Sequence, residues 1–120
     1  MEPEKIIPIL YTKDLNGSIA FYTTLMGFTL NDVNNELNWA SLTNGPIELM
    51  LSAPVDLDEQ GSPGFTGSFY FRVKNIERWW TTIQDKATIC YPLEAFDWGM
   101  QEFAIYDNNG YVLQFGESVH

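Results

Sequence analysis

Histidine and cysteine are almost missing from this chain. Its 120 residues include one His, at position 120, and one Cys, at position 90. A lone cysteine cannot form an internal disulfide, which fits a reducing compartment, so a cytoplasmic location is expected. Zinc and iron sites draw on His and Cys, so a two-His-one-carboxylate iron centre cannot be assembled within one chain. Basic residues are scarce too. Six Lys and Arg stand against sixteen Asp and Glu, a formal charge of −10. Nucleic-acid binding relies on basic faces, so that partner class is excluded. No apolar run reaches the roughly 18 residues of a membrane span. The start, Met1-Glu2-Pro3-Glu4-Lys5, lacks the basic-then-apolar pattern of a signal peptide. There is no phosphate-cradling Gly loop, nucleophile elbow or Cys/His pair, and Cys90 reads as a small hydrophobe.

What is present describes a folded α+β domain. Hydrophobic residues make up 45% and aromatics 15%, enough for a core in one domain spanning 1–120. Lys5 to Thr12 reads as a strand, with Pro8 near its start or at a sheet edge. Asp14 is a helix N-cap, Leu15, Ile19, Tyr22, Leu25 and Met26 recur at helical spacing, and Gly27 closes the run. Strands follow at about 28–32, 37–43 and 47–52, separated by Asn34-Asn35 and Asn44-Gly45 turns. A Pro/Gly-rich linker covers about 53–66.

The pattern then restarts. Ser68 to Val73 is a strand and Asn75 an N-cap. Ile76, Trp79, Trp80, Ile83 and Ala87 mark a helix, with one Trp expected in the core and the other more exposed, and Thr88 begins the next strand. The Asp97 to Gly116 stretch is a hairpin. Phe103 and Ile105 alternate with Glu102, Ala104 and Tyr106. Asp107-Asn108-Asn109-Gly110 turns the chain, and Tyr111, Leu113 and Phe115 face away from Val112, Gln114 and Gly116. Asp14 and Asn75 hold matching junctions, as do Asn44-Gly45 and Asn109-Gly110, so β-α-β-β-β occurs twice, in modules of about 5–52 and 67–117.

Asp14-Leu15, Ser18, Phe21-Tyr22 and Leu25-Met26-Gly27-Phe28 resemble the helix signature D-L-x-x-S-x-x-F-Y-x-x-x-L-G-F of the vicinal-oxygen-chelate superfamily, with Met26 in place of its Leu. That superfamily comprises the glyoxalases, bleomycin-resistance proteins and extradiol dioxygenases. Val73-Lys74-Asn75, Trp98-Gly99 and the Asp107 to Gly110 turn resemble its second-module landmarks. The resemblance implies two βαβββ modules curled into an incomplete barrel around a cleft. Metal-dependent relatives take ligands from four strands, and the matching positions are Ile7, Glu48, Ser68 and Gln114. Only Glu48 is a good ligand for a transition metal, so no metal or other cofactor is expected. Short, acidic, metal-free members of the bleomycin-resistance branch are the most similar. They imply a homodimer that sequesters a small molecule, with a lyase, isomerase or dioxygenase built on Glu48 as the alternative.

If the four ligand positions face the cleft, alternation brings their i±2 neighbours there too. The ligand-binding candidates are Tyr11, Glu48, Met50, Ser68, Tyr70, Arg72, Trp98, Glu102 and Gln114, with Ile9 and Tyr106 beside them. Ile9, Met50 and Tyr70 fit a barrel core equally well. Trp98, on a Gly-flanked loop, suits stacking on a planar or cationic ligand, or forms a lid over the core. The acidic balance is a solubilising surface or a field that draws in cations. Arg72 pairs with a carboxylate in the chain or holds that of an anionic ligand.

Overall fold

The structure, a computed structural model, describes residues 1–53 and 68–118. Apart from Ala53, the expected linker lies outside the described residues, as does His120. The chain divides into two compact units, Met1–Gly61 and Ser62–His120.

In the first unit, strand β1 (Ile9–Tyr11) leads to helix α1 (Leu15–Ala20) and then to β2 (Thr29–Asn34), β3 (Trp39–Asn44) and β4 (Ile47–Ser52). The order across the sheet is β1-β4-β3-β2, with β1 parallel to β4 and the other pairs antiparallel. β1 is shorter than the expected 5–12 strand because Pro8 has no N–H to give. Its carbonyl accepts the Met50 N–H at 2.9 Å, and the ladder begins one residue later. Asp14 caps α1 as expected, accepting the Gly17 N–H at 2.9 Å. The signature Ser18 is buried and donates to the Thr12 hydroxyl at 2.8 Å, so it ties the helix to the end of β1. After Ala20 the helix widens into a π turn, Phe21–Leu25, in which the Met26 N–H reaches the Phe21 carbonyl. Gly27, at φ 75°, ends it. α1 packs on β3 and β4, and Leu10, Ala40, Leu42, Leu49 and Leu51 are buried with Tyr22 and Met26.

In the second unit, β5 (Phe69–Arg72) leads to α2 (Ile76–Ile83), then to β6 (Thr88–Phe96), β7 (Met100–Tyr106) and β8 (Val112–Ser118). The order, β5-β8-β7-β6, repeats that of the first unit element by element. β6 is an edge strand, which is why Pro92 is tolerated within it. The hairpin alternates as expected, and in its register Phe103 pairs with Phe115 and Ile105 with Leu113, all buried beneath α2. Trp79 and Trp80 are both half-buried, contrary to the expected division between core and surface. Trp79 lies 5.5 Å from the Phe115 ring and Trp80 5.2 Å from the Phe103 ring, because a short helix lying flat on a sheet must use two adjacent side chains to cover two rows of aromatics.

The two Asn-Gly turns hold matching places but differ in build. Asn44 pairs with Ile47 across a two-residue Gly45-Pro46 loop. The later turn is wider. There the Asp107 carboxylate accepts the Asn109 and Tyr111 N–H groups at 2.8 and 2.9 Å, and Gly110 takes φ 96°. Asn75 occupies the N-cap position of α2 but contributes no side-chain bond. Glu117 of β8 does that work, accepting the Asn75 and Ile76 N–H groups at 2.9 and 3.0 Å. Among the described residues no helix is long and apolar enough to cross a membrane.

Candidate functional site

The face of the second sheet turned away from α2 carries most of the candidates. Alternation places Ser68, Tyr70 and Arg72 there from β5 and its approach, Glu102 from β7 and Gln114 from β8. Tyr70 lies opposite Gln114 and Glu102 opposite Gly116. At the centre is Glu102, only 8% exposed. Its carboxylate accepts the Tyr70 hydroxyl at 2.6 Å and the Tyr91 hydroxyl at 3.2 Å. The Gln114 amide N–H₂ donates to the Tyr91 oxygen at 2.9 Å, and the Ser68 hydroxyl donates to the Gln114 amide oxygen. Every hydrogen bond in this chain points toward Glu102.

Burial pushes the Tyr70 hydroxyl up to about 12, helped by the bond to Glu102 and its charge, while Arg72 pulls the other way. Burial also raises Tyr91, against the opposing Gln114 bond. Both phenols therefore stay protonated at neutral pH and serve as donors to the carboxylate. Gly116 makes room for this arrangement, since a Cβ there would overlap the Tyr70 hydroxyl.

Tyr91 was not among the candidates read from the sequence, and the reason is geometric. Two register shifts in β6, on either side of Tyr91, break its alternation. Tyr91 and Glu94, three residues apart, consequently face the same side, opposite Ala104 and Glu102 respectively. Glu94 was missed for the same reason. It sits directly across from Glu102, where two like charges destabilise the pair unless a cation joins them. Pro92 inside a strand-like run was the available signal.

Trp98 is 65% exposed, so it is no lid over the core. It lies in the tight β6–β7 turn, where the Gly99 N–H reaches the Phe96 carbonyl at 3.1 Å and Gly99 adopts φ 81°. Its indole stacks on Phe96 at 4.6 Å, and Phe96 meets the Tyr91 ring edge-on at 6.2 Å. The rings form a ladder from solvent toward the Glu102 network. Tyr106, at the other end of β7, lies beside Cys90, whose hydrogen bond raises its hydroxyl.

Tyr11, Glu48 and Met50 belong to the first unit, on the face of its sheet opposite α1. Ile9 and Tyr11 are 55% and 52% exposed, so the barrel-core reading fails for Ile9. Glu48 is bonded to Lys5 at 2.7 Å, which offsets its charge. The four positions matched to metal ligands do not fit a divalent ion. Ile7 has no donor atom and lies outside β1, Glu48 is held by Lys5, and Ser68 and Gln114 are committed to each other. Among the described residues no group of three or more His, Cys, Asp or Glu side chains could hold a metal. Arg72 forms no ion pair among the described residues, so neither Glu102 nor Glu94 is neutralised by it.

Comparison with solved structures finds the same fold repeatedly. A protein of unknown function from Agrobacterium tumefaciens str. C58 is 21% identical with a TM-score of 0.78, the match covering 98% of this chain and 96% of that one. A lactoylglutathione lyase from Agrobacterium tumefaciens is 20% identical with a TM-score of 0.71, covering 98% and 96%. The fosfomycin resistance protein FosX from Listeria monocytogenes is 13% identical with a TM-score of 0.80, covering 98% and 95%. At these identities the likeness concerns the fold alone. Comparison with curated proteins gives no significant match. The family model of the Glyoxalase/Bleomycin resistance protein/Dioxygenase superfamily matches residues 6–115, and this chain, built of two βαβββ modules, belongs to that superfamily.

Proposed function

We propose that this protein binds a cationic, partly planar small molecule without a metal and acts by sequestering it, as in the bleomycin-resistance branch of its superfamily. The observation that carries this reading is Glu102, buried with only phenol donors, facing Glu94 and unpaired with any basic side chain among the described residues. A carboxylate in low dielectric draws strongly on an opposite charge. The exposed Trp98, stacked on Phe96, offers a ring face for a cation or a conjugated system, and the net charge of −10 favours approach of cations. Glu48, with Lys5 bound, contributes less to this attraction.

Titration with a bleomycin-like cationic glycopeptide in the presence of chelator, followed by tryptophan fluorescence, tests the reading. Saturable quenching that weakens with salt is expected. Trp98→Ala should cost about 0.5–2 kcal/mol of binding, or roughly 2- to 30-fold. Methylglyoxal–glutathione and catechol turnover assays should be blank. Tight binding of an anionic thioether or carboxylic acid with no response to cations overturns the proposal. The protein acts as a homodimer in this reading, supported by Ile9 and Tyr11, which the first sheet leaves more than half exposed. A monomer in sedimentation at micromolar concentration refutes that part.

A further inference from the structure

The hydrogen bonds around Glu102 have a fixed direction. A carboxylate can only accept, so both phenols must spend their single O–H on it. Tyr91 is then an acceptor toward Gln114, which forces the amide N–H₂ to face Tyr91 and the amide oxygen to face Ser68. Ser68 must in turn spend its hydroxyl proton on that oxygen. The outcome is a polarised relay in which no hydroxyl proton is left over. Ser68, exposed, and Tyr70, 43% exposed, retain oxygen lone pairs but no free O–H. Glu94, exposed on the same face, likewise only accepts.

An aromatic face attracts any cation, whether or not it carries N–H groups. Acceptor oxygens discriminate, because an acceptor that a bound ligand covers with methyl groups loses its water without gaining a hydrogen bond. From this relay, and resting on the cation-binding reading above, we infer that the site selects cations bearing N–H donors over quaternary ammonium ions of similar size. Primary ammonium, amidinium and guanidinium groups form the favoured class. Trp98 supplies affinity common to both classes, and the Ser68–Gln114–Tyr91–Glu102–Tyr70 relay supplies the selectivity.

Three probes sharing one ring make the test: benzylamine, benzamidine and benzyltrimethylammonium, titrated calorimetrically against the whole protein. The N–H cations should bind at least tenfold more tightly. Tyr91→Phe keeps the ring on Phe96 but removes the oxygen that orients Gln114. The amide is then free to turn and Ser68 to donate outward. The preference should fall to within about threefold, through weaker benzamidine and benzylamine binding, while benzyltrimethylammonium changes less than twofold. Equal or tighter binding of the quaternary ion to the wild-type protein overturns the inference, as does full selectivity in a folded Tyr91→Phe variant. Selective loss distinguishes this result from failure of the cation reading itself, in which none of the three cations binds.

Discussion

Tyr70 shows how one side chain reports on its surroundings. Its hydroxyl is raised from 10.0 to about 12, by burial first and by Glu102 second. A group whose folded pKa is raised favours its protonated form in the fold. Its stabilising contribution is therefore complete below pH 10 and is lost as pH climbs from about 10 to about 12. An ultraviolet phenolate titration should show one tyrosine ionising late, and Tyr70→Phe should remove that step. Gly116→Ala offers a second handle, since the new methyl group overlaps the Tyr70 hydroxyl and pushes a movable ring end off Glu102. The late step should then fall back toward 10 while the fold persists. An unchanged titration in that variant would mean that Tyr70 does not depend on its position over Gly116.

At the scale of elements, α2 depends on a strand for its first turn. Asn75 sits at φ 57°, a left-handed conformation that Asn tolerates, and leaves the helix N–H groups to Glu117. Those two bonds hold the Glu117 carboxyl below its ordinary 4.5. A depressed acid stabilises the fold above its unfolded value, and that contribution disappears as pH falls below 4.5 through the folded pKa. Hydrogen exchange at Asn75 and Ile76 should accelerate in Glu117→Ala at neutral pH and match wild type in acid. Equal protection at neutral pH would show that α2 needs no cap from β8. The helix was legible in the spacing of Ile76, Trp79, Trp80 and Ile83. Its cap was not, because the partner lies 42 residues away in sequence. The β6 bulges escaped for a related reason: they are set by pairing with β7, and only that pairing turns Tyr91 and Glu94 to one side.

At the scale of the whole molecule, the second unit rests on its aromatic layer. Phe115 stacks on Phe103 at 4.7 Å and on Phe71 at 5.4 Å, and touches Trp79. Phe115→Ala should cost about 3–5 kcal/mol, a large part of the roughly 5–15 kcal/mol a domain of this kind has. Denaturant unfolding measures this directly. A loss under about 1 kcal/mol would show that the layer repacks.

The sequence alone determined the α+β class, the doubled βαβββ order, the Asp14 cap, the Gly27 stop and the two faces of the β7–β8 hairpin. Each follows from local rules: alternation, helical spacing, capping chemistry and turn residues act within a few positions. The superfamily resemblance, extended by strand alternation, put Ser68, Tyr70, Glu102 and Gln114 among the cleft candidates, and the pairing of β5, β7 and β8 sets them on one face of the second sheet. Tertiary structure decided the rest. The pairing of Glu48 with Lys5, the arrival of Tyr91 beside Glu102, the stacking of Trp98 on Phe96 and the capping by Glu117 are contacts made through space. No local propensity encodes them. They arise when a proline shortens a strand, a bulge shifts a register, or a turn brings one side chain over another.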